Sequence, residues 1–139
     1  MRRLIPKIPM LIAGALVTLA LAGQGGARSA ESVTCSSTTF PRNAFGRPID
    51  LTGKWTADGQ TYNLRQIGSC LWWAGGKAGS NVFFGTVFGS TVTGVWADVS
   101  TRSPIATGRL TLLINLANTK LDRRSSTGLF PATSWRKTA

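Results

Sequence analysis

The sequence predicts an all-β protein, a single eight-stranded antiparallel up-and-down (meander) barrel. Three observations lead to this fold class. From residue 51 to residue 137, short β-prone runs follow one another, separated by glycine- and asparagine-containing breaks. No stretch has the sustained period of an amphipathic helix. The breaks are too short for crossovers, so neighbouring strands must run antiparallel, and eight strands are enough to close a small barrel.

The predicted strands follow directly from the positions of the turn residues. Asp58-Gly59, Gly68-Ser69 and Gly89-Ser90 are among the pairs that separate one apolar run from the next. The eight strands are expected at 51–57, 61–67, 70–74, 82–88, 91–99, 109–115, 120–127 and 132–136. Closure of a meander joins its first and last strands, which would place Trp55 and Trp135 on adjacent strands.

Two of the hairpins also have a predicted register. A glycine at the first central position, as in Gly68-Ser69 and Gly89-Ser90, suits a type II′ turn, which fixes how the flanking strands pair. The first turn places Arg65 opposite Trp72. The second places Gly85 opposite Gly94, where two facing glycines leave a gap for a large side chain or a ligand, and it also pairs Phe83 with Trp96 and Asn81 with Asp98.

Alternation divides each hairpin into two faces, and both faces carry large apolar residues. Which face points into the barrel is therefore left open by the sequence. Apolar residues on both sides of one sheet indicate a packed interior together with an outer face that something else covers, either another subunit or the segment before the barrel.

The first fifty residues are predicted to stand apart from the barrel. Residues 1–27 have a basic start, an uncharged apolar run and small residues usable for cleavage, which is the layout of a secretory signal peptide. A membrane anchor is the alternative, but the apolar run is shorter than the about 20 residues that span a bilayer. Residues 28–50 read as an irregular lead-in and 51–137 as the barrel domain. The expected location is the bacterial periplasm or the extracellular medium, with no transmembrane segment in the mature chain.

Cys35 and Cys70 are the only two cysteines of the chain. In an exported protein a pair of cysteines is expected to form a disulfide. This bond would tie the lead-in to the first Gly-Ser hairpin. A reactive thiol is the alternative, but the sequence has no histidine that could activate one.

The charge of the chain does not indicate a nucleic-acid partner. The net charge of the whole sequence is +11, and removal of the four cations in residues 1–30 leaves +7. The cations that remain in residues 31–139 are scattered along the chain, whereas a nucleic-acid groove needs a basic stripe with interleaved aromatic residues. A solvated basic surface is the simpler interpretation, and weak attraction to anionic surfaces stays open.

Nothing in the sequence indicates catalysis. Histidine is absent, so there is no imidazole for acid–base chemistry, for activating a nucleophile or for binding a metal. Five carboxylates occur, at Glu31, Asp50, Asp58, Asp98 and Asp122, and they suggest no catalytic pair. No phosphate-binding or dinucleotide fingerprint is present. We therefore expect a protein that is not an enzyme and has no cofactor and no metal site.

The start of the barrel resembles a known superfamily. Leu51-Thr52-Gly53-Lys54-Trp55, followed by an eight-strand meander, is similar to the calycins, especially the avidins and lipocalins. The resemblance covers residues 51–137 and implies that a basic residue late in the barrel packs on Trp55, for which Arg136 is the candidate. The segments around Tyr62–Gly68, Trp72-Trp73 and Trp96–Val99 also look like a set of small, uncharacterised secreted bacterial proteins; this resemblance implies a shared fold and says nothing about activity.

Three hypotheses for function follow. The first is a small-molecule binder whose site lies at the barrel mouth, lined by Arg65, Trp72, Asn81, Trp96 and Asp98; it predicts an accessible cavity with converging polar groups. The second is a protein-interaction module, such as a periplasmic protease inhibitor, with an extended and exposed lead-in. The third is a homo-oligomer held together by an aromatic outer face.

Overall fold

The computed structural model describes residues 34–76, 81–99 and 106–138. Within them the backbone forms a closed antiparallel barrel of eight strands, each paired with its neighbours in chain order, and β8 returns to β1. The predicted fold class is confirmed. The predicted signal peptide, 1–27, lies outside the described residues. The strands are β1 (Gly53–Ala57), β2 (Gln60–Ile67), β3 (Cys70–Gly75), β4 (Asn81–Phe88), β5 (Thr91–Asp98), β6 (Thr107–Ile114), β7 (Lys120–Ser126) and β8 (Ser134–Lys137).

The two Gly-Ser turns have the predicted geometry. Gly68 and Gly89 have φ values of 59° and 53°, and neither following serine is in the positive-φ region, as a type II′ turn requires. The pairs predicted from these turns, Arg65 with Trp72 and Gly85 with Gly94, are confirmed. Asp58-Gly59 differs, since both of its residues have positive φ, which is the type I′ pattern.

Alternating positions of the strands fill the barrel interior with apolar side chains. Trp55 and Trp135 are completely buried and lie on adjacent strands, as the predicted closure requires. The question that the sequence leaves open is now decided: the inner face of the first hairpin carries Leu64, Leu71 and Trp73. The rest of the core consists of Ile49, Leu51, Ala57, Tyr62, Phe83, Val87, Val92, Trp96, Leu110, Leu112, Ile114, Leu121, Phe130 and Ala132.

The gap between the facing glycines is filled by a side chain. A Cβ atom at Gly85 or Gly94 would stand 2.5 to 2.6 Å from Cζ of the Phe83 ring. Phe83 therefore covers both glycines from the inside and stacks on Trp73 with ring centroids 4.1 Å apart. Of the two predicted occupants, a large side chain or a ligand, the structure has the side chain.

Residues 34–50 of the lead-in cover one end of the barrel, and the predicted anchor is confirmed. Cys35 and Cys70 form a disulfide with Cα atoms 5.1 Å apart. Next to it, the Ser69 backbone N–H donates to the Ser36 carbonyl at 2.8 Å. The Gln66 side chain, on β2, accepts from the Leu51 N–H and donates to the Ile49 carbonyl, each at 2.9 Å. The lead-in thus returns across this end and delivers buried apolar side chains to it.

These bonds also explain why β1 begins later than predicted. The expected start was residue 51, but the Leu51 N–H bonds to a side chain and its carbonyl accepts from Trp55 Nε1 at 2.9 Å. Leu51 is therefore a buried closing residue of the barrel end, and the sheet ladder starts at Gly53. The sequence cannot distinguish a first strand residue from a residue that closes the barrel end, because both positions need an apolar side chain.

The basic residue against Trp55 is Lys137, so the prediction of Arg136 is wrong. Trp55 pairs with Lys137 across β1 and β8, and Lys137 Nζ lies 6.0 Å from the centroid of the Trp55 ring. Arg136, one residue earlier, points outward and is exposed. Gly53 has a φ of 142°, a conformation that residues with a Cβ rarely adopt, which accounts for glycine at that position.

The opposite end is covered by residues 127–133, which we call the cap loop. Phe130 on this loop is 4% exposed and packs edge-on against Trp96, with ring centroids 4.8 Å apart. Trp96 Nε1 donates to the Thr127 carbonyl at 3.2 Å, and the Arg123 guanidinium donates to the Phe130 carbonyl at 2.5 Å. The cap loop replaces the start of the last predicted strand, so β8 begins at Ser134. No helix among the described residues has the length and apolar character to cross a bilayer.

Candidate functional site

The structure separates the five predicted site residues into two groups. Asn81, Trp96 and Asp98 lie on the inner-face side of β4 and β5, near the capped end. Arg65 and Trp72 lie on the outer face of β2 and β3. The prediction that all five line one mouth is therefore wrong. Inward and outward positions alternate along each strand, and the predicted residues occupy outward positions on β2 and β3 but inward positions on β4 and β5. Ligand binding by any of them stays a prediction.

The outer group belongs to a larger array that the sequence analysis did not recognise. Six apolar residues face outward on three adjacent strands, and we call them the apolar strip. Trp72, Phe84 and Val95 form one cross-strand row, and Ala74, Val82 and Ala97 form the next. The rings of Trp72 and Phe84 are 5.4 Å apart. An open depression of about 330 Å³ is lined by the members of the strip other than Ala74, together with Trp73, Phe83 and Trp96.

Both ends of the first row carry arginine. Arg65 on β2 pairs with Trp72, and Arg109 on β6 pairs with Val95, so the row reads cation, three apolar residues, cation. The outward positions of β2 to β6 contain no carboxylate. Among the described residues, the side-chain ion pair is Lys120 with Asp122, 2.9 Å apart on β7, away from the strip. The strip is thus an apolar surface in a positive setting.

The inner group belongs to an aromatic cluster beneath the cap loop. Trp73 Nε1 donates to Asn81 Oδ1 at 2.9 Å, and the Tyr62 ring packs edge-on against Trp73 with ring centroids 6.0 Å apart. The rings of Trp73 and Trp135 lie 5.6 Å apart, and Phe130 closes the cluster from above. Trp135 Nε1 is fully buried and has no hydrogen-bond partner among the described residues. Such a group is uncommon in a protein interior.

The environment of Tyr62 raises the pKa of its hydroxyl above the ordinary value of about 10. Burial is the main cause, because it disfavours the phenolate; the hydrogen bond to Asn81 acts in the opposite direction, and the charge of Asp58 adds to the rise.

Tyr62 is the only tyrosine of the chain, so its titration can be followed directly. We expect absorbance at 295 nm to give a midpoint above 10 in the folded protein and a midpoint near 10 in concentrated guanidinium chloride. Below pH 10 the group is neutral in both states and stability is unaffected. Above it only the unfolded state ionises, so stability falls as pH rises toward the folded pKa. A folded midpoint at or below 10 would contradict the burial of this hydroxyl.

Other exposed aromatic residues are isolated. Phe45, 71% exposed, sits in a turn whose Asn43 accepts from the N–H groups of Phe45 and Arg47 at 3.0 Å. Phe88, 85% exposed, borders a groove of about 570 Å³ between the lead-in and the β4–β5 turn. The groove wall reaches Thr34, the first described residue, so its extent beyond that point is outside the described part.

The described residues bring together no group of three or more histidine, cysteine or acidic side chains that could hold a metal ion. The fold and its surfaces define the protein as a closed, eight-stranded antiparallel barrel with an aromatic interior and one apolar outer strip. No protein-family model, curated protein or solved structure matches this chain.

Proposed function

We propose that this protein is an exported, non-catalytic binding protein that recognises another protein through the outer surface of its barrel. One observation carries the proposal: each of the eight strands contributes at least one buried side chain to the interior, while three adjacent strands present the apolar strip to solvent. Of the inner group of predicted site residues, Asn81 and Trp96 are buried, at 8% and 4% exposure. The outer group is accessible, with Trp72 37% exposed.

The composition of the outer surface fits a protein partner. Aromatic residues and arginine are enriched in the centres of protein interfaces, where they supply most of the binding energy. Trp72, Phe84 and Arg65 bring these residue types together on one face. The strip lies on strands hydrogen-bonded on both sides, so it is rigid before binding and little conformational entropy is lost on association.

Export and the type of barrel belong to the same proposal. The Cys35–Cys70 disulfide fits a protein that folds in an oxidising compartment, such as the bacterial periplasm or the extracellular medium. The closed meander, with Gly53, Trp55 and Lys137 in contact at one end, supports a relationship to the calycins.

The protease-inhibitor version of this function has less support. It needs a lead-in that is extended and free to enter a cleft. In residues 34–50 the chain instead folds into a turn, bridges Arg42 with Pro48 and bonds to the barrel through Ser36 and Ile49. A general interaction module fits this lead-in better.

Small-molecule binding beneath the cap loop is the second candidate. The observation that favours it is Trp135 Nε1, a buried donor without an acceptor, in a cluster that also holds the polar side chains of Tyr62 and Asn81. A ligand there would have to displace Phe130 and supply an acceptor.

One experiment separates the two candidates. The tagged protein would be recovered from its own host as wild type, as Trp72→Ser and as Phe45→Ser, and each sample analysed by native mass spectrometry. We expect a protein partner with wild type and with Phe45→Ser, and a loss of about tenfold or more with Trp72→Ser, because an aromatic anchor at an interface centre contributes strongly. Phe45→Ser is the matched control, since it removes an exposed aromatic ring outside the strip.

The remaining outcomes are informative as well. Equal recovery with Trp72→Ser would contradict binding at the strip. A retained small molecule with no partner would favour the site beneath the cap loop. A Trp72-dependent dimer would assign the strip to self-association.

A further inference from the structure

The apolar strip has a chemical character that defines its partner more narrowly, and this step rests on the proposed function. The relevant row runs across five strands, from Arg65 through Trp72, Phe84 and Val95 to Arg109. We infer that it binds an acidic polypeptide segment that carries one apolar side chain next to a carboxylate.

The size of the strip limits what it can hold. Three strands and two rows cover about 10 Å across the strands and about 7 Å along them. The best exposed members, Trp72, Val82 and Val95, are each 37% to 40% accessible. A stable dimer interface uses about 20–30 residues on each side. The strip alone is too small for that purpose, whereas the depression of about 330 Å³ matches one or two inserted side chains.

The closed sheet excludes one common mode of peptide binding. A peptide adds to a sheet by hydrogen bonding to an exposed edge strand. The strip lies on β3, β4 and β5, and each of these is paired on both sides. Recognition must therefore come from side chains, with affinity supplied by the apolar anchor and selectivity by charge.

The charges on this face select acidic partners. Arg65 is exposed, and no described residue forms an ion pair with it. Because it stands opposite Trp72 in the register, its guanidinium can reach a carboxylate next to a side chain seated over that ring. A basic segment would find no carboxylate to pair with among the outward positions of β2 to β6.

The test uses defined peptides on the intact protein. The probe is fluorescein-labelled Asp-Glu-Gly-Trp-Gly-Glu-Asp. One control peptide has serine in place of tryptophan, and another has lysine in place of every acid. Binding is followed by fluorescence anisotropy and by amide chemical shifts. We expect the probe to shift amides of β3 to β5 and to bind more tightly than either control peptide.

Variants assign the contacts. Trp72→Ser is expected to weaken probe binding by about tenfold. Arg65→Gln is expected to weaken it by about two- to fivefold and to reduce its salt dependence, as for a solvent-exposed ion pair. Phe45→Ser should change neither. Urea unfolding of each variant confirms that the barrel is intact.

Several results would overturn the inference. These are no binding of the probe, equal binding of the serine or lysine peptide, or an equal loss with Phe45→Ser. Trp72-dependent binding to phosphatidylglycerol vesicles, but not to the probe, would replace the peptide with a membrane surface. If a host partner depends on Trp72 but not on Arg65 or salt, the proposed function stands and the acidic partner does not.

Discussion

Replacement of both cysteines by serine is expected to lower the free energy of unfolding by about 3–4 kcal/mol. The bond joins residues 35 positions apart, and without it the unfolded chain gains the entropy of that open loop. The folded state also loses a constraint, because the disulfide at Cys35 holds Ser36 of the lead-in beside Ser69. Urea unfolding of wild type and of the Cys35→Ser/Cys70→Ser variant measures the difference.

The place of the loss is also predicted. Hydrogen exchange should speed up first in the lead-in and at the barrel end that it covers, including the Leu51 and Ser69 amides. The amides of β4 and β5 in the middle of the sheet should keep their relative protection. An unchanged urea midpoint in the double variant would contradict a stabilising role for the disulfide.

Gly94→Ala is expected to cost about 3 kcal/mol or more, at the upper end of the overpacking range. A Cβ at this position would overlap the Phe84 carbonyl oxygen and stand 2.5 Å from Gly85 Cα. Both obstacles are backbone of the neighbouring strand, so no rotamer change relieves them. The Phe83 ring on the inner side would have to move as well, and with it the stack on Trp73.

Thr93→Ala is the matched control, because Thr93 is the next residue of β5 and its side chain is exposed. Its effect should stay within about 0.5 kcal/mol, as is usual for surface substitutions. The two variants are compared by thermal and urea unfolding. If Gly94→Ala were as stable as Thr93→Ala, the close approach of β4 and β5 at this point would be wrong.

Much of the fold is predictable because the turn residues specify the same strand pairing that the closed barrel requires. The Gly68-Ser69 and Gly89-Ser90 turns specify pairing within each hairpin, since a type II′ turn permits only one register. The pairing of Arg65 with Trp72 and the facing glycines at 85 and 94 follow from the turns alone.

The candidate surfaces are less predictable, because they depend on contacts between distant parts of the chain. Residue type does not separate the outward Trp72 from the inward Trp73. Residue type also cannot identify Phe130, 34 positions after Trp96, as the ring that covers it. The apolar strip has a usable signal, since two successive outward positions on each of three neighbouring strands are apolar, but it is visible only once the inward face is known.

The sequence by itself determined the number and order of strands, two registers and the disulfide, because each depends on turn chemistry, alternation or a single pair of cysteines. Only the tertiary structure decided which face is interior, which basic residue contacts Trp55, and that the five predicted site residues divide into an inner and an outer group. The physical reason is that alternation specifies two faces of a strand without naming the inner one. The choice is made by packing, where closure of the barrel buries the set of side chains that fills its interior.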